Sequence, residues 1–342
     1  IASILSVIVV TGLIIYGYIL YRDIFGANTK FSENEVYVYI PTDATYDEVK
    51  NIVAPYIKDM SRFEMVATKK SYPERSDKSG RFLLKKGMNS NEIVNSLRLN
   101  VPVNLAFNNQ ERLENFAGRI GSQIEADSLS LLDAFRDKKF LEENGFTEEN
   151  VLSMFVPNSY EFFWNTSAVK FRDRMAKEYR KFWTNDRLEK AKQLNLTPIQ
   201  VSILASIVHK ETVKRDERPR VAGVYLNRLQ RGIKLEADPT VIYAVKLKSG
   251  DFNQVIKRVL NKDLVTDSPY NTYMYQGLPP GPIAMPDITA LDAVLNPEKH
   301  NYIYFCASVT NFGYHEFAVT AAQHEVNRQK YVAWVNQQGI KR

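Results

Sequence analysis

Residues 1–21 contain no charged side chain, and Arg22-Asp23 end the run abruptly. At about 1.5 Å of rise per residue, such a helix reaches across a hydrocarbon core of roughly 30 Å. The apolar core of a secretory signal is shorter and leads to a small-residue cleavage site, which Phe25-Gly26-Ala27 does not resemble. Residues 1–22 are therefore expected to form an uncleaved transmembrane anchor. Beyond Asp23 the chain is too polar to span again, so the prediction is a water-exposed body tethered by one helix. With 342 residues there is enough chain for two domains and a sizeable core.

Composition narrows the function classes. Hydrophobic content of 44% and charge of 25% are ordinary for a folded protein, so no long disordered region is expected. The net charge of +6 suits an anionic polymer or a membrane surface. No Lys/Arg cluster is interleaved with aromatics in the manner that nucleic-acid binding requires. The single Cys306 leaves no internal disulfide framework and is read as a buried, inert thiol beside the apolar run 302–305. No GxSxG elbow, P-loop or GxGxxG fingerprint is present, and no cofactor is expected.

Between the anchor and Glu125 a strand–turn–helix pattern occurs three times. Residues 36–40, 81–85 and 103–107 alternate as strands. The first leads to a capping box at Thr45 and Glu48, the second to a turn at Gly87 and a helix capped at Ser90, and the third to a helix over 109–120. Residues 72–80 read as a loop, and 127–150 as helical and charged. The segment 155–164 is dense in aromatics. There Phe162 and Phe163 are expected to pack in a core, while Tyr160 and Trp164 fit either a core or a surface that stacks on sugars. Residues 171–183 form a basic amphipathic helix, expected at the surface.

The segment 197–240 is the chemically informative one. Thr197 can cap a helix, Pro198 suits its first position, and Gln200 completes a capping box. Leu204, Ile207, Val208 and Glu211 follow at spacings of three and four, so they share one helical face. A carboxyl at the edge of an apolar stripe is poorly solvated, which raises its pKa and lets it donate a proton. The competing reading is a surface carboxylate paired with Lys214 or Arg215. After the Asp216-Glu217-Arg218 turn, a second helix over 221–231 carries Asn227-Arg228 and ends at Gly232. Asp238-Pro239-Thr240 then opens a third helix, with Asp238 readable as a cap or as a functional group.

Residues 268–286 are rich in Pro, Gly, Asn and Tyr. Tyr270, Asn271, Thr272 and Tyr273 offer hydroxyl and amide groups beside flat rings, which suits a polysaccharide groove or a stiff structural loop. Asp287 is expected to cap a helix that stops at Pro297. Residues 301–307 and 314–318 predict a hairpin across Asn311-Phe312-Gly313, and Thr320 begins a final helix towards Gln337. His315 and His324 with nearby acids do not have metal-ligand spacing, so no metal is expected.

The ordered series ASIVHKET, ER, VAGVYLNRL, DPTVIYAV, YNTY and GLPPGPI resembles the YceG-like family of membrane-bound endolytic murein transglycosylases. It covers most of 198–324, with weaker similarity back to about Val36. The resemblance implies that Glu211 is the catalytic acid and base, and that His315, Phe317 and His324 form the closing motif. Glu217, Asn227, Asp238, Thr240 and Tyr270 are its implied neighbours, with Arg218 fixing Glu217 through an ion pair. The family pattern commonly has Glu where this chain has His209. It also implies an α+β fold: an anchor over 1–22, a membrane-proximal βα region over 23–125 with a LysM-like subdomain, and a catalytic domain over 126–342. The implied substrate is the glycan strand of peptidoglycan, at the outer side of a bacterial cytoplasmic membrane and close to peptidoglycan synthases. A lysozyme-like hydrolase using Glu217 or Asp238 to assist water, and a glycan-binding scaffold without turnover, are the alternatives.

Overall fold

A computed structural model describes residues 2–337, with the side chains of residues 8–19, 21, 22 and 24–337. It is an α+β protein of two compact units between which the chain passes several times. The first comprises Ile1–Leu105, Ile120–Asp127 and Ser159–Ser167, and the second Ala106–Arg119, Ser128–Asn158 and Ala168–Arg342.

The first unit begins with helix α1 (Ala2–Phe25), along which Ile8, Leu13, Ile14, Tyr16 and Tyr18 are exposed. The side chains of 1–7, part of the expected anchor, lie outside the described residues. Among the described residues no helix is long and apolar enough to cross a membrane. Strands β1 (Glu35–Ile40) and β2 (Gly80–Lys85) pair antiparallel, with Val38 opposite Phe82. Their inner residues meet α2 (Tyr46–Val53), α3 (Met60–Lys69) and α4 (Ser90–Ser96) in a core of Ile40, Val49, Phe63, Leu84 and Ile93. The Thr45–Glu48 capping box forms as expected. The cap of α4 is Asn89, one residue earlier than predicted, because Ser90 is buried and accepts from the Asn28 amide at 2.9 Å.

The third predicted strand does not repeat the pattern. Strand β3 (Val103–Ala106) pairs with β4 (Ser159–Phe162), drawn from the aromatic segment. Phe162 is buried as expected, but Phe163 is half exposed, since alternation along the chain turns it to the other face. Trp164 packs edge-on against Tyr39, with ring centroids 5.2 Å apart.

In the second unit α5 (Leu113–Gly121) begins four residues later than predicted, and the stretch read as helical over 127–150 divides into α6 (Ser128–Phe135) and α7 (Lys138–Asn144). Helix α8 (Ala168–Phe182) exposes its basic face but buries Phe171 and Met175, and α9 (Asn185–Gln193) follows. At the centre lies α10 (Pro198–Glu211). Its capping box forms, with the Gln200 N–H donating to Thr197 Oγ1 at 3.2 Å and Gln200 Oε1 accepting from the Thr197 N–H at 2.8 Å. Residues 201–208 are buried without interruption, so this helix is enclosed on all sides rather than along the one predicted stripe. Ser206 tolerates that burial because its hydroxyl donates to Ile203 O at 2.7 Å and accepts from the Ile283 N–H at 3.1 Å. The second of these bonds ties the proline-rich loop to the central helix.

Around α10 stand α11 (Arg218–Gln230), α12 (Asp238–Ser249) and α14 (Ile288–Leu295), with the short α13 (Asn261–Leu264) against α12. Asp287 caps α14 as predicted, accepting from the Ala290 N–H at 2.8 Å. The hairpin is present as β5 (Tyr304–Ala307) and β6 (His315–Ala318), with Phe305 opposite Phe317, and α15 (Ala321–Gln337) closes the described chain.

Candidate active site

Helix α10 ends at Glu211, which is only partly exposed and sits on the wall of a cleft of about 450 Å³. Tyr225, Arg228, Asp238, Tyr273, Tyr304 and His315 line the same cleft. Burial pushes the Glu211 carboxyl up to about 7. The Asp238 carboxylate adds to that rise, while a hydrogen bond from Tyr225 opposes it. The C-terminal end of a helix is itself the negative end of its dipole, a poor place for a second negative charge. The group is thus a carboxylic acid that can give up a proton near neutrality.

The ion-pair alternative for Glu211 is not realised. Its partner is the Tyr225 hydroxyl, whereas Lys214 lies over the Tyr314 ring at 4.9 Å. Tyr225 stands on α11, buried apart from its reach to the carboxyl, with its ring edge-on to Phe305. Sequence reasoning missed this residue. Within VAGVYLNRL a tyrosine reads as core, and the clue was the need of a buried hydroxyl for a partner.

Glu217 does not line the cleft. Both of its oxygens are taken, one by the His315 backbone N–H at 2.7 Å and the other by His315 Nδ1 at 2.8 Å. Burial favours the neutral carboxyl, but these bonds outweigh it and hold Glu217 below the usual carboxylate range. Glu217 is turned to His315 and stands outside the cleft lining, so it is not placed to assist a water molecule there. Arg218 does not pair with Glu217 either. It turns to Asp287 (2.6 and 2.8 Å) and donates to Thr212 O at 3.3 Å, because the buried guanidinium finds two acceptors there. His209, at the position where the family pattern commonly carries Glu, meets the same Asp287 at 3.4 Å, away from the cleft.

The other expected site residues separate into two sets. Asp238 lines the cleft and accepts from the Tyr273 hydroxyl at 2.8 Å; it makes no side-chain cap on α12. Tyr273 and His324 also line the cleft, and the His324 ring stacks on Tyr304 at 5.0 Å. Burial and the nearby Arg228 hold the His324 imidazole below its ordinary range. The remaining residues clasp the backbone. Asn227 donates to His300 O and Tyr302 O, both at 2.9 Å. Asn271 donates to Leu264 O and Thr266 O, at 2.9 and 2.8 Å. Thr240 and Thr272 bond each other at 2.8 Å in the interior, and Tyr270 is buried against Tyr243.

Four further residues at the cleft were not anticipated. Arg228 pairs with Glu236 and lies 5.5 Å over the Tyr304 ring, and Arg328 completes that end. Glu236 holds a left-handed backbone, φ 50°, a conformation that a non-glycine residue adopts only when its surroundings impose it. Cys306, expected in the interior, is only partly buried and lines the cleft with the rest of β5. Burial raises its thiol pKa and keeps it unreactive.

The cleft thus holds a carboxyl raised towards neutrality beside Asp238, Tyr225 and His315 on a helical α+β unit. The sequence profile of the YceG-like family matches residues 38–330, and the chain belongs to that family. Over 134 residues it is 40% identical to an endolytic murein transglycosylase of Bacillus subtilis, and over 143 residues it is 35% identical to one of Streptococcus pneumoniae. Those stretches are 39% and 41% of this chain, and 35% and 25% of the relatives' own length. A crystal structure of a putative YceG-like protein from Listeria monocytogenes matches 86% of this chain and 99% of that one, with TM-score 0.57 and 25% identity.

Proposed function

We propose that this chain is an endolytic lytic transglycosylase that cleaves the MurNAc-GlcNAc bond within nascent peptidoglycan strands. The observation that carries the reading is Glu211, a carboxyl poised near neutrality on the wall of an open cleft. Its acid form protonates the glycosidic oxygen as the bond to C1 breaks. The carboxylate so formed takes the proton from the muramic acid 6-hydroxyl as that oxygen closes on C1, giving a 1,6-anhydro end. One group serves twice and no water is consumed. The names of the B. subtilis and S. pneumoniae relatives support the substrate and the reaction. The test is a Glu211→Gln variant that still unfolds cooperatively. It is expected to lose strand cleavage altogether, and full activity would refute the assignment.

A water-using hydrolase is the second reading, favoured by Asp238 in the same cleft. It predicts ordinary reducing ends in place of anhydro ends. A glycan-binding scaffold predicts retention on the strand without turnover.

The proposal extends to the rest of the chain. The apolar residues exposed along α1 support a single-pass anchor in the bacterial cytoplasmic membrane, with the cleft on the outer side and the reaction terminating strands as synthases build them. The β1–β2 pair with its flanking helices is the LysM-like, glycan-holding part of this proposal. Removal of α1 is expected to abolish sedimentation with lipid vesicles; unchanged sedimentation would remove the anchor from the account.

A further inference from the structure

The Glu217–His315 pair fixes more than the hairpin. A carboxylate can only accept hydrogen bonds, and Glu217 is held in its ionised form by the two it receives. The ring nitrogen facing it, Nδ1, therefore carries the proton. In the neutral imidazole the other nitrogen, Nε2, is then a lone-pair acceptor. His315 lines the cleft, and among the described residues Nε2 has no hydrogen-bond partner. The ring cannot swing away. Its backbone is pinned by the same carboxylate and paired in β6, and Phe305 packs edge-on against it at 5.0 Å. Glu217 in turn is only 4% exposed and is positioned at the start of α11, where Arg218 anchors the helix to Asp287.

Such a buried carboxylate behind an oriented imidazole makes a base, and the cleft has a use for one. The reaction proposed above demands that the 6-hydroxyl lose its proton as it attacks C1. From the geometry we infer that His315 is a second catalytic residue, which takes that proton on Nε2, with Glu217 as its positioning residue. The inference rests on the transglycosylase reading and refines one step of it: the 6-hydroxyl proton reaches the Glu211 carboxylate by way of His315. Glu211 gives its proton to the leaving glycosidic oxygen, and the C1–oxygen bond to the leaving sugar breaks. The 6-oxygen bonds to C1 while its proton passes to Nε2. The imidazolium then returns that proton to the Glu211 carboxylate, directly or through solvent, so that both groups end as they began. The Nδ1 proton stays on the ring throughout, stabilised by Glu217 as the ring becomes positive.

A base that activates the internal hydroxyl also decides which nucleophile wins. Without it, water competes better for C1, so the product mixture shifts and the rate falls. A merely structural histidine would lower the rate without changing the mixture. The experiment digests peptidoglycan with the full chain, its His315→Gln variant and its Glu217→Gln variant, and counts anhydro and reducing ends by mass spectrometry. His315→Gln is expected to form anhydro ends about a hundredfold more slowly, the scale of general-base catalysis, with a larger share of reducing ends. Glu217→Gln is expected to shift the share in the same direction by less, since its amide oxygen still accepts from Nδ1. An unchanged share of ends in both variants overturns the inference while leaving Glu211 and the transglycosylase in place. Wild-type digests with no anhydro ends overturn both. Where His315→Gln fails to fold, the Glu217→Gln share decides alone.

Discussion

The Tyr225 hydroxyl donates to the Glu211 carboxylate, joining the end of α10 to the middle of α11. This bond favours the ionised form of a group that burial pushes the other way, so the working pH of the cleft is a balance between them.

Tyr225→Phe removes the opposing term, and the Glu211 pKa is expected to rise above about 7. Because the reaction starts from the protonated acid, the alkaline limb of the pH–rate profile moves to higher pH. The check is the profile of kcat/KM for the variant beside wild type; a limb that stays in place would mean that Glu211 does not set it.

Asp238→Asn acts with the opposite sign. The Asp238 carboxylate disfavours a second charge at Glu211, so its loss lowers the Glu211 pKa and moves the alkaline limb to lower pH. The two variants together give shifts in opposite directions, which a general loss of structure cannot produce.

Stability follows from the same carboxyl. Its folded pKa of about 7 lies above the ordinary value of 4.5, so between those values the folded chain holds a proton that the unfolded chain has lost. Stability is therefore expected to fall as pH rises from about 4.5 to about 7 and to level beyond. Glu211→Gln removes this slope, and at pH 8 it is expected to be more stable than wild type by up to about 3 kcal/mol. Denaturant titrations at pH 4 and pH 8 check it: the two proteins should differ only at the higher value.

The Arg218–Asp287 pair is structural. Asp287→Ala leaves a buried guanidinium with one acceptor fewer and uncaps α14, and is expected to cost about 3 kcal/mol. A thermal melt reads it; a loss below about 0.5 kcal/mol, the scale of an exposed pair, would contradict the placement.

Much of the second unit was legible because its signals are local. The capping box at Thr197, the cap at Asp287 and the hairpin across Asn311-Phe312-Gly313 each declare themselves within a few residues, and Glu211 stands out as a carboxylate ending an apolar helix. The misreadings are long-range. Strand β4 exists through its pairing with β3, far away in sequence. Asn271, Thr272 and Thr240 were candidates for holding a ligand, yet their polar groups are spent on nearby backbone and on each other. Residue type does not distinguish the two uses. Arg218 shows the same limit: adjacency to Glu217 predicted an ion pair, while the fold brought a better-placed carboxylate.

The central claim is that Glu211 drives an internal closure in which water takes no part. The most direct measurement is digestion of peptidoglycan by the wild-type chain in water enriched in heavy oxygen, followed by mass spectrometry of the new ends. The account predicts anhydro ends without label, absent from a Glu211→Gln digest. Labelled reducing ends would contradict it and establish a hydrolase.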